Sequence, residues 1–316
     1  MELRHMRYII TIAEYGSITK AAEVLYTTQP SLSHCVAKAE QELNVKLFDR
    51  STSPMTLTYA GETFVRRARQ MLELNQTMER EFRDISANRK GRLRIGFPHE
   101  RATFMLPEIL PLFRREYPGM DLQIMTAGSA QLREALDKGR IDFYIAPFDG
   151  KVPSYEAIPV ASEELVFAAA RNTIAEELCL KEDPSCIDLS KTAGLQYNLL
   201  KKGHSIRNTM EDLFAKAGIR PEHIAETTSN LTALRLACAG VGIAIVPEMT
   251  LYITDRADGI DVFHIGKDPV VWQICGIFRT GTYIGTVERR FLAIAAEAYN
   301  QIKEQRYSSF FRRPEQ

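Results

Sequence analysis

Apolar residues recur at helical spacing from the first turn of the chain. Leu3, Met6, Ile10 and Ala13 share one face of a first helix, and Gly16 supplies the left-handed residue that ends it. Ser17 caps a short second helix with Ala21, Ala22 and Leu25 turned inward. Tyr26 and Thr27 make the turn, and Thr28 caps a third helix carrying Pro30 in its first turn, where a missing N–H is tolerated. On that helix Leu32, Val36, Ala39 and Leu43 fall within about 40° of one another at roughly 100° per residue, which predicts its buried stripe. Val45, Leu47 and Phe48 then anchor a short strand, Arg50 ends it, residues 51–54 carry turn chemistry and Leu57 begins the return. The pattern is two helices joined by a tight turn, followed by a wing.

Thr58 caps a long helix. Along it Phe64, Ala68, Met71, Asn75, Met78, Phe82 and Ile85 follow the 4-3-4-3-4-3 spacing of a heptad seam, flanked by charges such as Arg66, Arg67, Glu79 and Arg83. A helix from Thr58 to near Ala87 is about 45 Å long, too extended to fold back on a small headpiece. A partner subunit buries such a seam, or else the helix packs on its own chain. Asn75 costs stability there but fixes register. After a polar break at Asn88 to Gly91, strands and helices alternate. Strands are expected at Leu93 to Gly96, Asp121 to Thr126 and Ile141 to Ala146, with helices near Leu106 to Tyr117 and Ser129 to Lys138. A second round has strands at Leu165 to Ala169, Leu195 to Leu199, Ala225 to Thr228 and Gly242 to Val246, and helices near Ser205 to Ala217 and Asn230 to Ala239. Val270 to Phe278 and a long helix near Thr286 to Gln305 read as a return to the first lobe. Strand-helix-strand order needs crossovers and hence a parallel sheet. The fold class is therefore α/β with an α-rich head.

The face of the third helix opposite its stripe is polar: Pro30, Ser31, His34, Lys38 and Gln41, with Gln29 and Ser33 beside them. Such a set fits a major groove about 12 Å wide, where an amide pairs with adenine, serine with several bases, and lysine with phosphate or guanine. A solvated helix face reads the same way. The runs Gly16-Ser17-Ile18-Thr19-Lys20-Ala21-Ala22, Thr28-Gln29-Pro30-Ser31-Leu32-Ser33, Leu47-Phe48-Asp49-Arg50 and Leu57-Thr58-Tyr59-Ala60-Gly61 together decide the matter. Their order resembles the LysR-type transcriptional regulators, bacterial DNA-binding proteins, and the later architecture fits that family over nearly the whole chain. The resemblance implies a winged helix-turn-helix at 1–58, a linker and dimerisation helix at 59–90, and an effector-binding domain at 91–306 with a periplasmic-binding-protein-like fold. Its first lobe would take about 91–160 and 267–306, its second about 161–266, and 307–316 would be a tail. Ile18, Thr28, Gln29, Pro30, Ser31, Ser33, His34 and Lys38 would then lie at or near double-stranded DNA, and Arg50 would meet backbone at the wing. The family further implies antiparallel linker helices, a homodimer and homotetramer, a small-molecule effector and, for an activator, RNA polymerase as partner. His34 and Cys35 stand where the family often carries Arg or Gln, and the wing tip from Ser51 to Met55 lacks its frequent basic residue.

Ligands of open parallel sheets bind beyond the carboxyl ends of the strands. The first such segment holds His99, Glu100, Arg101, Ala102 and Thr103 at a helix start, whose unpaired N–H groups favour an anion. Ser129 opens another helix, Lys202, Gly203, His204 and Ser205 follow a strand, and Thr228 and Pro247 end two more. The resemblance places effector contacts in these segments. Arg101, His204 and Lys202 with helix N-termini point to a small carboxylate or other anion, while Glu100 calls for an amine or hydroxyl or pairs with Arg101.

Composition limits the alternatives. With 316 residues, 45% hydrophobic and 25% charged, the chain has room for two or three domains. Its 40 Lys plus Arg balance 40 Asp plus Glu, so no global basic field attracts nucleic acid and any DNA contact has to be local. Five cysteines without close pairs read as reduced thiols, with no metal site or disulfide. No signal peptide or membrane-length apolar run is seen, so the expected location is the cytoplasm, away from membranes. His99-Glu100 opens like a zinc-protease helix, but Thr103 stands where its second histidine would be. Gly240 and Gly242 sit between a helix and a strand, the reverse of a dinucleotide fingerprint. No catalytic set, cofactor motif or phosphate loop emerges, which disfavours the alternative of an α/β solute-binding protein or small-molecule enzyme. In the family's peroxide-sensing branch Gly203-His204-Ser205 reads Gly-His-Cys; here the cysteine is missing, and Phe214 stands where a second is expected.

Overall fold

The computed structural model describes residues 1–51, 54–85, 91–148, 150, 152–254 and 259–310. It divides into two compact units, Met1–Asn88 and Arg89–Gln316.

In the first unit α1 (Leu3–Tyr15) ends at Gly16, whose φ of 59° lets its N–H reach the Ile12 carbonyl. Ser17 accepts from Lys20 N and so caps α2 (Ile18–Val24). Helix α3 (Gln29–Leu43) starts with proline in its first turn and ends at Asn44 in the left-handed region, with φ 52°. Strands β1 (Phe48–Asp49) and β2 (Thr56–Leu57) pair antiparallel as the wing. Ile9, Ile12, Ala21, Ala22, Leu32, Val36, Ala39, Leu47 and Phe48 fill the core. Leu43 and Val45 do not join it; both are exposed. Glu40 takes the last buried place on α3 instead, because its carboxylate accepts from Leu47 N at 2.9 Å and Phe48 N at 3.4 Å, tying the helix to the wing.

Thr58 caps α4 (Tyr59–Ile85), accepting from Gly61 N at 3.0 Å. A Cβ on Gly61 would lie 2.0 Å from the Leu47 carbonyl oxygen, so only glycine lets α4 approach β1 this closely. The heptad seam is divided in the structure. Phe64 and Ala68 pack with Val65 and Leu72 against Met6 and Ile10 of α1, so they belong to the chain's own core. Periodicity marks apolar positions without naming the surface that covers them, and α1 covers the first half. Met71, Met78 and Phe82 stay 54%, 48% and 63% exposed, and Leu74, outside the heptad reading, joins them at 70%. Asn75 donates to Glu79 at 2.8 Å, and the side chain of Ile85 lies outside the described residues.

The second unit contains β3 (Gly91–Phe97), α5 (His99–Glu116), β4 (Met120–Thr126), α6 (Ser129–Asp137), β5 (Phe143–Pro147) and β6 (Tyr155–Ala170). Then follow β7 (Cys179–Leu180), β8 (Asp183–Ile187), β9 (Gln196–Leu200), α7 (Ser205–Ala217), β10 (His223–Thr227) and α8 (Asn230–Cys238). It closes with β11 (Ile243–Pro247), α9 (Met249–Tyr252), β12 (Ile260–Ile265), β13 (Val271–Arg279) and α10 (Thr286–Phe310). Strand order is β10-β9-β11-β6-β13-β5-β3-β4, with β12 paired to β6 and β8.

The sheet is mixed rather than purely parallel. Strands β3, β4 and β5 run parallel, as do β9, β10 and β11, but β13 is antiparallel to β5 and β6, and β11 is antiparallel to β6. Strand β6 serves both halves: residues 155–164 pair with β13, and 165–170 with β11 and β12. Helix α5 begins at His99 instead of Leu106 and passes through Pro107 and Pro111, because Phe104, Met105, Ile109 and Phe113 bury one continuous face that outweighs the lost bonds. The main core combines Phe97, Phe143, Phe278 and Phe291 with Leu234, Val246 and Leu251 from the second round.

Candidate DNA-reading face and effector segments

Helix α3 turns Gln29, Pro30, Ser31, His34, Lys38 and Gln41 outward, and Thr28 is exposed just before them. Half-buried Ser33 accepts from Gln29 Nε2 at 2.9 Å, so these two hold each other at the helix start. Thr28 makes no capping bond, which leaves its hydroxyl outward. Ile18 is half-buried and packs against the head core, which gives it a supporting place under α3. Cys35 is buried, and burial pushes its thiol up. Beside the wing Lys46 lies 3.0 Å and Arg50 4.0 Å from Glu40 Oε2, with both cations exposed. Burial pushes the Glu40 carboxyl up, but the Leu47 N–H, the Lys46 ammonium and the Phe48 N–H outweigh it and hold it below the usual range.

Of the cations that the sequence places in the effector segments, Lys202 is exposed but Arg101 is not. Arg101 is buried and its Nη2 sits 2.6 Å from Glu163 Oε2, itself fully buried on β6. Its guanidinium is therefore desolvated and faces a carboxylate rather than solvent, with Nη1 buried and making no hydrogen bond. Glu100 does not pair with Arg101 either. Its Oε1 accepts from Ser229 Oγ at 2.7 Å and from Leu231 N at 3.2 Å, and its Oε2 accepts from Asn230 Nδ2 at 2.7 Å.

Ala102 and Pro247 are buried, so their side chains pack rather than present a surface. His99 and Thr103 are exposed, with Thr103 Oγ1 donating back to the His99 carbonyl at 3.2 Å. Ser129 and Ser205 are first residues of α6 and α7, not caps; Gly128 and His204 hold the cap positions. Lys202, Gly203, His204, Ser205 and Thr228 are exposed. Sequence reasoning missed Ser229, Asn230 and Glu163. Ser229 caps α8, accepting from Thr232 N at 3.1 Å, and a serine before a helical run was the signal available. Nothing local marks Glu163.

A second buried acid lies near by in the fold. Glu248 is fully buried and accepts from Glu164 N at 3.0 Å, Tyr299 OH at 2.9 Å and Lys303 Nζ at 3.1 Å; burial pushes its carboxyl up. The Glu164 carboxylate, 2.6 Å from His264 Nδ1, raises the imidazole's pKa against the effect of burial. None of the five cysteines is in a disulfide. Among the described residues no cluster of His, Cys, Asp or Glu is placed to hold a metal, and no helix is long and apolar enough to cross a membrane.

A two-helix reader with a wing, joined in one chain to a ligand-domain fold, defines a ligand-responsive DNA-binding regulator, and the comparisons agree. The profile of the bacterial regulatory helix-turn-helix protein, lysR family, matches residues 3–62, and that of the LysR substrate binding domain matches residues 86–300. The chain belongs to the LysR family of transcriptional regulators. It is 32% identical to the uncharacterized HTH-type transcriptional regulator YybE of Bacillus subtilis (strain 168), covering 95% of this chain and 97% of that one. It is also 32% identical to the regulator TfdS of Cupriavidus pinatubonensis, over 78% of this chain and 82% of that one. Full-length CbnR complexed with target DNA superposes with a TM-score of 0.59 at 26% identity, covering 94% of this chain and 100% of that one. A full-length OxyR variant from Pseudomonas aeruginosa shares the fold, with a TM-score of 0.69 at 24% identity and 94% of each chain covered. The protein is thus a DNA-binding transcription regulator with an effector-binding domain.

Proposed function

We propose that this regulator works in the bacterial cytoplasm as a homodimer, assembled further into a homotetramer, whose heads read paired half-sites through Gln29, Pro30, Ser31, Ser33, His34 and Lys38, with Arg50 on backbone. The carrying observation is the outward polar face of α3 beside a wing, in a chain whose linker helix leaves Met71, Leu74, Met78 and Phe82 uncovered. Two heads on one duplex give the affinity that one charge-balanced head lacks. The working parts are the head at 1–58, the linker at 59–90 and the effector domain at 91–306. A small molecule bound between the two lobes shifts the spacing of the heads, with no chemistry performed on it. Exposed Lys202 and His204 beside the α7 start, and Ser129 at the α6 start, support an anionic group on the effector; Arg101 does not. RNA polymerase is the further partner if the outcome is activation. Footprinting on DNA upstream of its own gene, repeated across salt concentrations, tests the reading. A protected pair of half-sites with a steep salt slope is expected; only non-specific binding at every salt overturns it.

A further inference from the structure

A carboxylate is an unexpected group to find at the start of a segment that should receive anions. Glu100 is the second residue of α5, and its side chain reaches the first turn of α8, 129 to 131 positions later in the chain. There it meets a hydroxyl, a carboxamide N–H and a backbone N–H, which is the donor set a protein offers to a bound carboxylate. It is not serving as the helix cap. Ser229 already caps α8 by accepting from Thr232 N, and its own proton is turned to Glu100. Nor is it balanced by the cation beside it, since Arg101 is committed to Glu163. Asn230 has to direct its amide N–H₂ at the carboxylate, which leaves its Oδ1 facing inward, buried and without a partner. That oxygen is an acceptor waiting for a donor.

We propose that Glu100 is a built-in carboxylate ligand: it fills the anion position at the α8 start, ties α5 to α8 when no small molecule is bound, and turns this part of the site away from anions. The ligand consequence rests on the effector reading given above. A group approaching α8 has either to displace Glu100 or to bring a hydrogen-bond donor for its carboxylate oxygens. The effector class this selects is a molecule with one anionic end, for the α6 and α7 starts, and a hydroxyl or ammonium at the other. A dicarboxylate meets repulsion here.

Chemical rescue of the full-length protein is the test, read by thermal unfolding without DNA. Glu100→Ala should melt lower than the parent, and sodium acetate should restore it in a saturable way. At ten times the acetate dissociation constant the rise expected is about 3–5 °C. The parent, and Glu100→Ala in sodium chloride of equal ionic strength, should show no such rise. Glu100→Ala combined with Ser229→Ala should lose most of the rescue. If Glu100→Ala does not fold, Glu100→Gln takes its place, and it should melt below the parent because a neutral amide oxygen is a weaker acceptor for Ser229 and Leu231 N than the carboxylate. Equal acetate responses in parent and Glu100→Ala, or a Glu100→Gln melting like the parent, overturn the proposal. DNA binding is recorded on the same samples, so loss of the carboxylate effect with intact half-site protection sinks this inference alone.

Discussion

Both units bury a carboxylate, but they find its partners at very different distances along the chain. Glu40 in the head is satisfied by Lys46, Leu47 and Phe48, six to eight residues away. In the effector domain Glu163 takes Arg101 from 62 residues away, Glu164 takes His264 from 100, and Glu100 takes Ser229 from 129. Apolar surface differs in the same sense. The head closes a small core around local helices and leaves a stripe of α4 uncovered, while the effector domain gathers its apolar residues into a large core shared by both rounds of strands and two smaller ones beside it. A unit built from local contacts closes around a short stretch of chain; one built from distant contacts needs nearly its whole length in place.

That contrast is open to experiment, and the largest effect is expected at the buried pair. Removing one partner, as in Glu163→Ala, strands a desolvated guanidinium and should cost about 3–5 kcal/mol of effector-domain stability in urea unfolding. Adding Arg101→Met to a Glu163→Met background should recover most of it. Unchanged stability in Glu163→Ala would mean the domain does not depend on its long-range pairs. Next comes the stripe: Phe82→Glu should leave both units folded by circular dichroism, abolish the dimer in sedimentation, and weaken operator binding about 100-fold or more by removing the second half-site. A dimer that survives would place the interface elsewhere.

Titration separates the units with a smaller effect. The Glu40 pKa is lowered on folding, so its contribution is complete above the ordinary glutamate value of about 4.3 and is lost as pH falls through the folded value. The His264 pKa is raised, so its contribution is complete below about 6.5 and is lost as pH rises through the folded value. Melting curves should therefore lose the Glu40 contribution as the pH falls, a loss that Glu40→Gln removes, and lose the His264 contribution as the pH rises above about 6.5, a loss that His264→Ala removes. The smallest effect is at Lys38: its change to alanine should lower affinity evenly across DNA sequences and reduce the salt slope by about 1 if it contacts phosphate.

The same contrast explains what could be read in advance. Caps at Ser17 and Thr58, the left-handed Gly16 and the Pro30 helix start are local signals, and each is where the sequence puts it. The seam was half legible, since Phe64 and Ala68 have the spacing of a dimer helix yet meet α1. In the effector domain the alternation gave most elements, but β7, β8, α9, β12 and the first half of β6 went unread; β8 and β12 mix charged or polar with apolar residues, Asp183 in one and Asp261 and His264 in the other. The Arg101 to Glu163 pair was hidden for another reason, because an arginine at a helix start looks the same whether it faces solvent or a strand 62 residues on.

Strand β6 runs through both lobes as one ladder, with Glu163 and Glu164 where its partners change from β13 to β11 and β12. A flexible loop at that place would let the lobes swing about a few torsions. A continuous strand has no such loop, so any relative motion of its two halves has to appear as a change in its twist. Its ladder with β13 already has a register shift between Ile274 and Cys275, a natural point for that torsion to collect. Relative motion of the two halves of β6 would then be a turn about the strand's own axis.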